Sequence, residues 1–306
     1  MQKLDVDVPE QYRELVRVGT CSWKFDSWKG IVYDPDADYD PDDYLPDYAR
    51  HFRTVEIDQW FWSLFPPGPK LPDPETARTY AESVPDDFVF TVKAPNSITL
   101  THFYKKQPKA YREHANKPNA LFLNPELLRH FLEALEPMRE KLGPVMFQFE
   151  YLNKEKMPSL GAFLQQLHEF FGEAPEGCEY AIETRNPNYL RPEFFEFLRD
   201  HGLGYVFLDG YYMPRIGEVL AEHDTRTGAP CVVRLHGPTR EGIEKMTGGE
   251  WNEVVQPQPE GIETAVQIVR ENAEQGLETY VNANNHYEGC APLTLQTFVW
   301  ALRAAG

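Results

Sequence analysis

Charged residues alternate with hydrophobic ones at the ends of two short apolar runs in this sequence. Glu183 and Arg185 share one parity in EYAIETR, and Arg234 and His236 share one parity in CVVRLHG. Side chains of one parity lie on the same face of a strand. A carboxylate there can act as a general base, while guanidinium and imidazole groups can hold an anion. We therefore predict that these four side chains converge in one polar pocket.

The same alternation places other polar residues on the predicted inner face of the sheet, mostly late in their strands. Buried ion pairs, such as Glu56 with Arg185 or Glu183 with Arg234, are the structural alternative, because opposite charges inside a barrel can simply neutralise each other. Glu56 lies in the middle of its predicted strand, and a structural role fits this position as well as a catalytic role does. The further residues predicted to face inward are Glu56, Asp58, Thr91, Lys93, Gln148, Glu150, Asp209, Asn282 and Asn284.

Two kinds of chemistry fit these side chains. In the first, Lys93, Arg234 and His236 bind an anion, and Glu183 or Glu56 acts as the general base. In the second, Lys93 loses its proton beside cationic neighbours and forms a Schiff base with a carbonyl substrate. Both remain open at this point. The predicted catalytic residues are Glu56, Lys93, Glu183, Arg185, Arg234 and His236.

The polar segment VNANNHYEGCAP, residues 281–292, follows the last apolar run and leads into a predicted helix. Helix-start N–H groups beside amide and imidazole side chains are typical of anion sites, and an ordinary turn is the alternative. We predict that the inward acids pair with Arg185 or Lys93, which leaves Arg234 free to bind sulfate or phosphate beside Asn285. The predicted ligand-binding residues are Trp23, Asp58, Gln148, Asp209, Asn284, Asn285, His286 and Tyr287.

Aromatic residues cluster near the ends of the first two apolar runs. We predict packing for most of them, with Phe61 and Trp62 under helices, and take Trp23 and Trp60 as the candidates to form a pocket wall or to stack on a planar or sugar-like ligand.

Strand-like and helix-like segments alternate along the whole chain. Helical patterns such as NPELLRHFLEALEPMREKLG separate the apolar runs, and no GxGxxG or GxxxxGK[ST] follows the first of them. This alternation predicts an α/β fold, a closed eight-stranded parallel (β/α)8 barrel. We expect one domain over residues 1–306 with its core at 17–305, and long loops at 96–124 and 237–259 on the catalytic face. The predicted strands begin at Arg17, Thr54, Phe88, Pro144, Glu179, Gly204, Cys231 and Glu278.

Charge and cysteine usage restrict the partners. The balance of 30 Lys and Arg against 48 Asp and Glu gives a formal charge of -18, which repels nucleic acids and anionic membranes. The four cysteines form no CxxC pair, and no run of about 18 apolar residues occurs. We therefore expect a cytoplasmic protein with reduced thiols and a small, anionic ligand as its partner.

Several segments together resemble the YecE-like family, also known as domain of unknown function 72. They run from Val18 to Pro292 and include VGTCSWKFDSWKGIVYD, HFRTVEIDQWFWSL, AIETRNPNY, VVRLHG and NNHYEGCAP. The resemblance implies a TIM-type barrel related to the xylose isomerase and endonuclease IV group. It implies no activity, because the family has no established biochemical function. Ser22, the segment EIDQWFW and Ala283 depart from the usual family pattern.

Three classes of function fit these observations. The first is an enzyme without a metal that acts on a small anionic or polyhydroxy metabolite. The second is a metal-dependent phosphoesterase or isomerase, by analogy with the related barrels. Only His236 is an inward strand-end histidine, so we predict no metal site and no cofactor. The third is a non-catalytic protein that binds a small ligand.

Overall fold

The computed structural model describes residues 4–41 and 43–306. Within them, eight parallel strands close into a barrel in chain order, with β8 pairing to β1. The predicted eight-stranded parallel barrel is confirmed. Its strands are β1 (Val16–Cys21), β2 (Thr54–Ile57), β3 (Val89–Lys93), β4 (Leu142–Gln148), β5 (Tyr180–Glu183), β6 (Gly204–Gly210), β7 (Cys231–Gly237) and β8 (Thr279–Ala283).

Helices cover the outside of the barrel and bury apolar side chains against the strands. Two of the described helices begin at a proline that follows a capping side chain. Asp73 and Asn124 accept hydrogen bonds from Glu75 N and Leu127 N, which satisfies N–H groups that have no partner within the helix. The helices are α1 (Tyr44–Tyr48), α2 (Pro74–Glu82), α3 (Asn96–Thr99), α4 (Pro125–Ala134), α5 (Leu160–Gly172), α6 (Pro192–Asp200), α7 (Ile216–Glu222), α8 (Arg240–Thr247), α9 (Pro259–Ala273) and α10 (Ala291–Ala305).

The first two strands end earlier than the apolar runs suggested. Strand β1 ends at Cys21, and Ser22 turns the chain with a φ of 77°. Strand β2 ends at Ile57, and a short 3-10 helix follows at Gln59–Phe61. Because the alternation of a strand stops where the strand stops, it no longer predicts the direction of the aromatic residues that follow.

The barrel interior is apolar at its base and polar above. Five side chains fill the base, and the polar residues of the next layer stand nearer the C-terminal ends of the strands. In that layer Asn282 Nδ2 donates to Thr91 Oγ1 at 3.0 Å, so both side chains face inward as predicted. The apolar base consists of Met146, Ala181, Val206, Val232 and Tyr280.

Both long loops contain helical segments and contribute to the C-terminal face. The 96–124 loop includes α3 and brings Leu100 and Tyr104 to the central cavity. The 237–259 loop includes α8 and brings Arg240 and Trp251 to the same cavity. Gly237 has a φ of 82°, and a Cβ there would lie 2.2 Å from His286 O, so glycine lets the two neighbouring strand ends approach.

Candidate active site

A cavity of about 640 Å³ opens at the C-terminal ends of the strands. This is the face on which barrel enzymes assemble their sites. The sequence-predicted residues that line it are Glu56, Asp58, Lys93, Gln148, Glu150, Arg185, Arg234, His236, Asn284, Asn285 and His286. Glu183 lies directly beneath them and contacts Arg185 and Arg234.

Arg234 holds the floor of the cavity together. Its Nε donates to Glu56 Oε2 at 2.8 Å, and its Nη2 donates to Glu56 Oε1 at 2.6 Å. Its Nη1 donates to Glu183 and, at 3.3 Å, to Gln148 Oε1. The side chains of Arg234, Glu56 and Glu183 are each 1% exposed. The prediction that Arg234 stays free for a ligand is therefore wrong, because two internal carboxylates and an amide engage it.

The observed ion pairs correspond partly to the structural alternative. Glu183 pairs with Arg234, whereas Glu56 pairs with Arg234 and not with Arg185. Burial raises the pKa of Glu183, but the charges of Arg234 and Arg185 outweigh it and hold that pKa below its usual value. Glu183 is consequently a poor proton acceptor.

Arg185 is the more available guanidinium. Its Nε donates to Glu183 Oε1 at 3.0 Å, and its side chain is 23% exposed. Its Cζ lies 4.6 Å from the ring centroid of Tyr211, an arrangement that fixes the plane of the guanidinium. Its terminal nitrogens make no hydrogen bond to the described part of the chain, so they are free to bind a ligand.

Lys93, the last residue of β3, is buried at the cavity wall. Its Nζ lies 3.9 Å from the ring centroid of Phe61. Across residues 4–41 and 43–306 its ammonium group forms no hydrogen bond or ion pair. Burial, followed by the charge of Arg234, lowers the pKa of Lys93 to about 8. A substantial fraction of this amine is therefore uncharged at neutral to mildly alkaline pH.

Two further carboxylates, Asp58 and Glu150, line the cavity wall. Burial, followed by the charge of Glu56, raises the pKa of Asp58, which lies immediately after β2. Glu150 accepts from Thr101 Oγ1 at 3.0 Å and pairs with Lys156. Asp58 is thus the acid best suited to exchange protons with a ligand here.

Cys21, Glu56 and His236 meet at the floor of the cavity. Cys21 Sγ lies 3.5 Å from Glu56 Oε2 and 3.5 Å from His236 Nε2. Burial, followed by the charge of Glu56, raises the pKa of the Cys21 thiol well above its usual value. Burial, followed by the charge of Arg234, holds the pKa of His236 well below its usual value, so its imidazole is neutral.

The segment after β8 forms another wall of the cavity. Asn284 Oδ1 accepts from His286 N at 2.9 Å, and the His286 ring packs on Trp251 at 4.9 Å between centroids. Asn285 Oδ1 accepts from Ala291 N at 2.9 Å, at the start of α10. Its Nδ2 is buried and makes no hydrogen bond within the described residues.

Three predicted ligand-binding residues lie outside the cavity, namely Trp23, Asp209 and Tyr287. Asp209 faces the helices, because inward parity in β6 belongs to Val206. Its Oδ2 accepts from Tyr287 Oη at 2.8 Å and lies 3.2 Å from Arg215 Nη2. The inward assignment of Asp209 and the ligand role of Tyr287 are therefore wrong. The hydrogen bond between Tyr287 Oη and Asp209 Oδ2 lies between the strands and the helices.

The aromatic residues that line the cavity are not the ones predicted to do so. Trp23 and Trp60 are buried against Tyr80 of α2, with ring centroids 5.2 Å and 6.0 Å away. Phe61 and Trp62 line the cavity instead, and Trp62 is 56% exposed. The 3-10 helix after β2 changes the direction of Trp60, Phe61 and Trp62, and the turn at Ser22 ends the alternation of β1 before Trp23.

Sequence reasoning missed several residues that border the cavity, among them Cys21, Tyr211, Arg240 and Trp251. Cys21 is the last residue of β1 and has inward parity, so strand alternation was a signal that could have assigned it to the cavity. The cysteine pattern predicted only that its thiol is reduced. Tyr211 follows β6 with a φ of 52°, an unusual conformation for a tyrosine that no local motif announced. Arg240 and Trp251 come from the long loop after β7, whose path depends on tertiary packing.

The fold and the site define an α/β barrel protein with a polar, charge-lined cavity at the catalytic face. A family model described as "Protein of unknown function DUF72" matches residues 17–306. The chain belongs to this family, and the predicted membership is confirmed.

Curated proteins and solved structures that are similar to this chain support the same family assignment. The UPF0759 protein YecE of Escherichia coli (strain K12) is 27% identical over 177 residues, covering 58% of this chain and 50% of that protein. The chain thus spans about half the length of the curated relatives it matches. The crystal structure of a DUF72 family protein from Thermotoga maritima MSB8 is similar at a TM-score of 0.65 and 25% identity, covering 94% of this chain and 99% of that one.

A second crystal structure shows the same fold. A DUF72 family protein from Enterococcus faecalis V583 aligns with a TM-score of 0.61 and 19% identity, covering 94% of this chain and 96% of that chain. Among the described residues, none of the helices combines the length and apolar character that a bilayer crossing requires.

Proposed function

We propose that this protein is an enzyme whose Lys93 amine attacks a carbonyl group of a small anionic or polyhydroxy metabolite. The observation that carries the proposal is the environment of Lys93. Its Nζ stands at the wall of a 640 Å³ cavity, packed on Phe61 and without an ion-pair partner in the described chain. A lysine held this way is an activated nucleophile rather than a structural cation.

The pairing of the acids favours amine chemistry over the alternative with a glutamate base. Glu56 and Glu183 both accept hydrogen bonds from Arg234 and are almost completely buried. The lowered pKa of Glu183 makes it a poor proton acceptor, and both carboxylate oxygens of Glu56 are occupied by Arg234. Within residues 4–41 and 43–306, Lys93 and Asp58 form no ion pair, and they lie at the ends of the neighbouring strands β3 and β2.

The reaction step is balanced by groups in the cavity. The uncharged Lys93 amine forms a bond from nitrogen to the carbonyl carbon as the C=O π bond opens, and one proton passes from the nitrogen to the carbonyl oxygen. The resulting carbinolamine loses water to give an iminium ion. Asp58 is placed to donate the proton that the departing hydroxyl needs, and to accept it again on hydrolysis.

Polar and aromatic groups around Lys93 fit the proposed ligand. Arg185 presents free terminal nitrogens suited to a carboxylate or phosphate. Trp62 and Tyr104, 6.1 Å apart between ring centroids, border the opening and offer faces on which a sugar-like ligand can stack. The relation to xylose isomerase and endonuclease IV stays a prediction from the sequence and supplies no step here.

Reductive trapping tests the proposal. The chelator-treated protein is incubated with small aldehydes and ketones that carry phosphate, carboxylate or several hydroxyls, and borohydride is then added. We expect a stable adduct on Lys93, located by peptide mass mapping. Lys93→Arg and Lys93→Met should abolish it, while Lys106→Met, which changes an exposed loop lysine, should not. Thermal stabilisation by a compound that forms no adduct would instead support a non-catalytic binding protein.

A further inference from the structure

Three potential metal ligands from different strands converge beneath the cavity. Cys21 Sγ, Glu56 Oε2 and His236 Nε2 belong to β1, β2 and β7, and these atoms all lie within 4.8 Å of one another. We propose that they bind a thiophilic divalent cation of the zinc type, with a fourth position directed into the cavity. The proposal goes beyond the proposed function, because Lys93 is not one of the ligands.

The separation of the ligand atoms agrees with tetrahedral coordination. Zinc binds thiolate at about 2.3 Å and imidazole or carboxylate at about 2.0–2.2 Å. In a tetrahedron with those bond lengths, the sulfur lies about 3.5 Å from each of the lighter ligand atoms. Cys21 Sγ is 3.5 Å from Glu56 Oε2 and 3.5 Å from His236 Nε2. Both separations from the sulfur thus match a tetrahedral ion, and Glu56 Oε2 and His236 Nε2 lie within 4.8 Å of each other.

Neighbouring groups hold two of the ligands in position. Tyr211 Oη lies 3.4 Å from His236 Nδ1, on the opposite side of the ring from the proposed cation. Arg234 donates two hydrogen bonds to the Glu56 carboxylate, and these bonds fix the orientation of the carboxylate. Such outer contacts are typical of metal centres, since they fix the ring and the carboxylate that coordinate the ion.

The charge of Arg234 is the main cost of placing a cation here. Glu56 Oε2 already accepts from Arg234 Nε, but a carboxylate oxygen has a second lone pair available. Glu183 also neutralises Arg234 from the other side. Loss of the Cys21 proton adds a further negative charge when the cation binds. A site with one sulfur, one nitrogen and one oxygen ligand selects zinc-type cations over Mg²⁺ or Ca²⁺.

Cobalt binding tests the site directly. The protein is stripped with a chelator and titrated with Co²⁺ alone, and the absorption spectrum is recorded. We expect one equivalent to bind, with tetrahedral d–d bands and a near-ultraviolet charge-transfer band from thiolate to cobalt. Zn²⁺ should displace it, and binding should release protons and strengthen as the pH rises.

Matched variants identify the ligands. Cys21→Ser should remove the charge-transfer band, and His236→Gln should weaken binding and alter the d–d bands. Cys178→Ser and His201→Gln change residues away from the cavity and should leave the spectrum intact. A wild-type protein that shows no band, or a band that persists in Cys21→Ser, would overturn the proposal.

A measurement on the wild-type protein covers the case in which a variant does not fold. X-ray absorption of the zinc-loaded protein should show one sulfur neighbour at about 2.3 Å. A shell that contains only nitrogen and oxygen overturns the site. Lys93→Met separates the two proposals, since it should lose the borohydride adduct and keep the cobalt band.

Discussion

Arg234 and Glu56 form a bidentate ion pair across the barrel interior, with distances of 2.8 Å for Nε–Oε2 and 2.6 Å for Nη2–Oε1. The pair joins β7 to β2, and Glu183 of β5 engages the same guanidinium. These contacts assign Arg234 to the scaffold of the cavity, which Arg185 and Lys93 also line.

Removal of the Arg234 guanidinium should strongly destabilise the fold. In Arg234→Met, Glu56 and Glu183 become buried carboxylates without their main partner, and we expect a loss of about 3–5 kcal/mol in the free energy of unfolding. Urea denaturation followed by circular dichroism measures it. Arg185→Met is the control, because its half-buried side chain leaves the central pair intact and should cost about 1 kcal/mol. Equal losses in the two variants would contradict this account.

The pH dependence of stability should report the buried Lys93. Its folded pKa of about 8 lies below the unfolded value of 10.5, so the unfolded chain binds more protons between these pH values. The penalty for burying the charge is therefore complete below about pH 8 and disappears as the pH rises to about 10.5. At pH 7 Lys93→Met should be more stable than wild type by on the order of 3 kcal/mol.

The stability difference between Lys93→Met and wild type should shrink steadily as the pH is raised through this window. Denaturation curves at several pH values measure it, with Lys106→Met as the control for an exposed lysine. A difference that does not change with pH would show that Lys93 titrates like an ordinary surface lysine.

The Tyr287–Asp209 hydrogen bond should contribute to stability and not to the cavity. In Tyr287→Phe, Asp209 Oδ2 loses the donor at 2.8 Å, and we expect destabilisation by about 1–3 kcal/mol. Borohydride trapping on Lys93 should be unchanged, because both residues lie outside the barrel interior. A loss of trapping with unchanged stability would restore the original ligand-binding prediction for Tyr287.

Gly261→Ala should not give the gain in stability that alanine usually gives in a helix. It lies in α9, where a Cβ would stand 1.9 Å from Tyr287 Oη and 2.3 Å from Asp209 Oδ2. Gly261→Ala should therefore destabilise the protein by about 1–3 kcal/mol through overpacking. Gly172→Ala provides the matched control, since nothing lies within 4 Å of its added Cβ and it should be neutral or stabilising. Thermal unfolding of both variants distinguishes the two effects.

The sequence by itself determined the barrel and most of the polar inner face. Period-two alternation assigned Glu183 and Arg234 to the interior correctly, because a strand's side-chain direction depends only on local backbone geometry. The same rule failed at Asp209, where the polar residue was taken as the inward one although it pairs with Arg215 behind the sheet.

Only the tertiary structure decided which charges pair and which remain available. Glu56 and Arg234 are 178 positions apart, and their pairing depends on strand register and on competition among several nearby charges. The 3-10 helix after β2 likewise turned Phe61 and Trp62 toward the cavity and left Trp60 in the core. The meeting of Cys21 with His236, 215 positions away, follows from barrel closure, because closure brings β1 and β7 to opposite sides of β8. Local periodicity carries no information about such distances between strands.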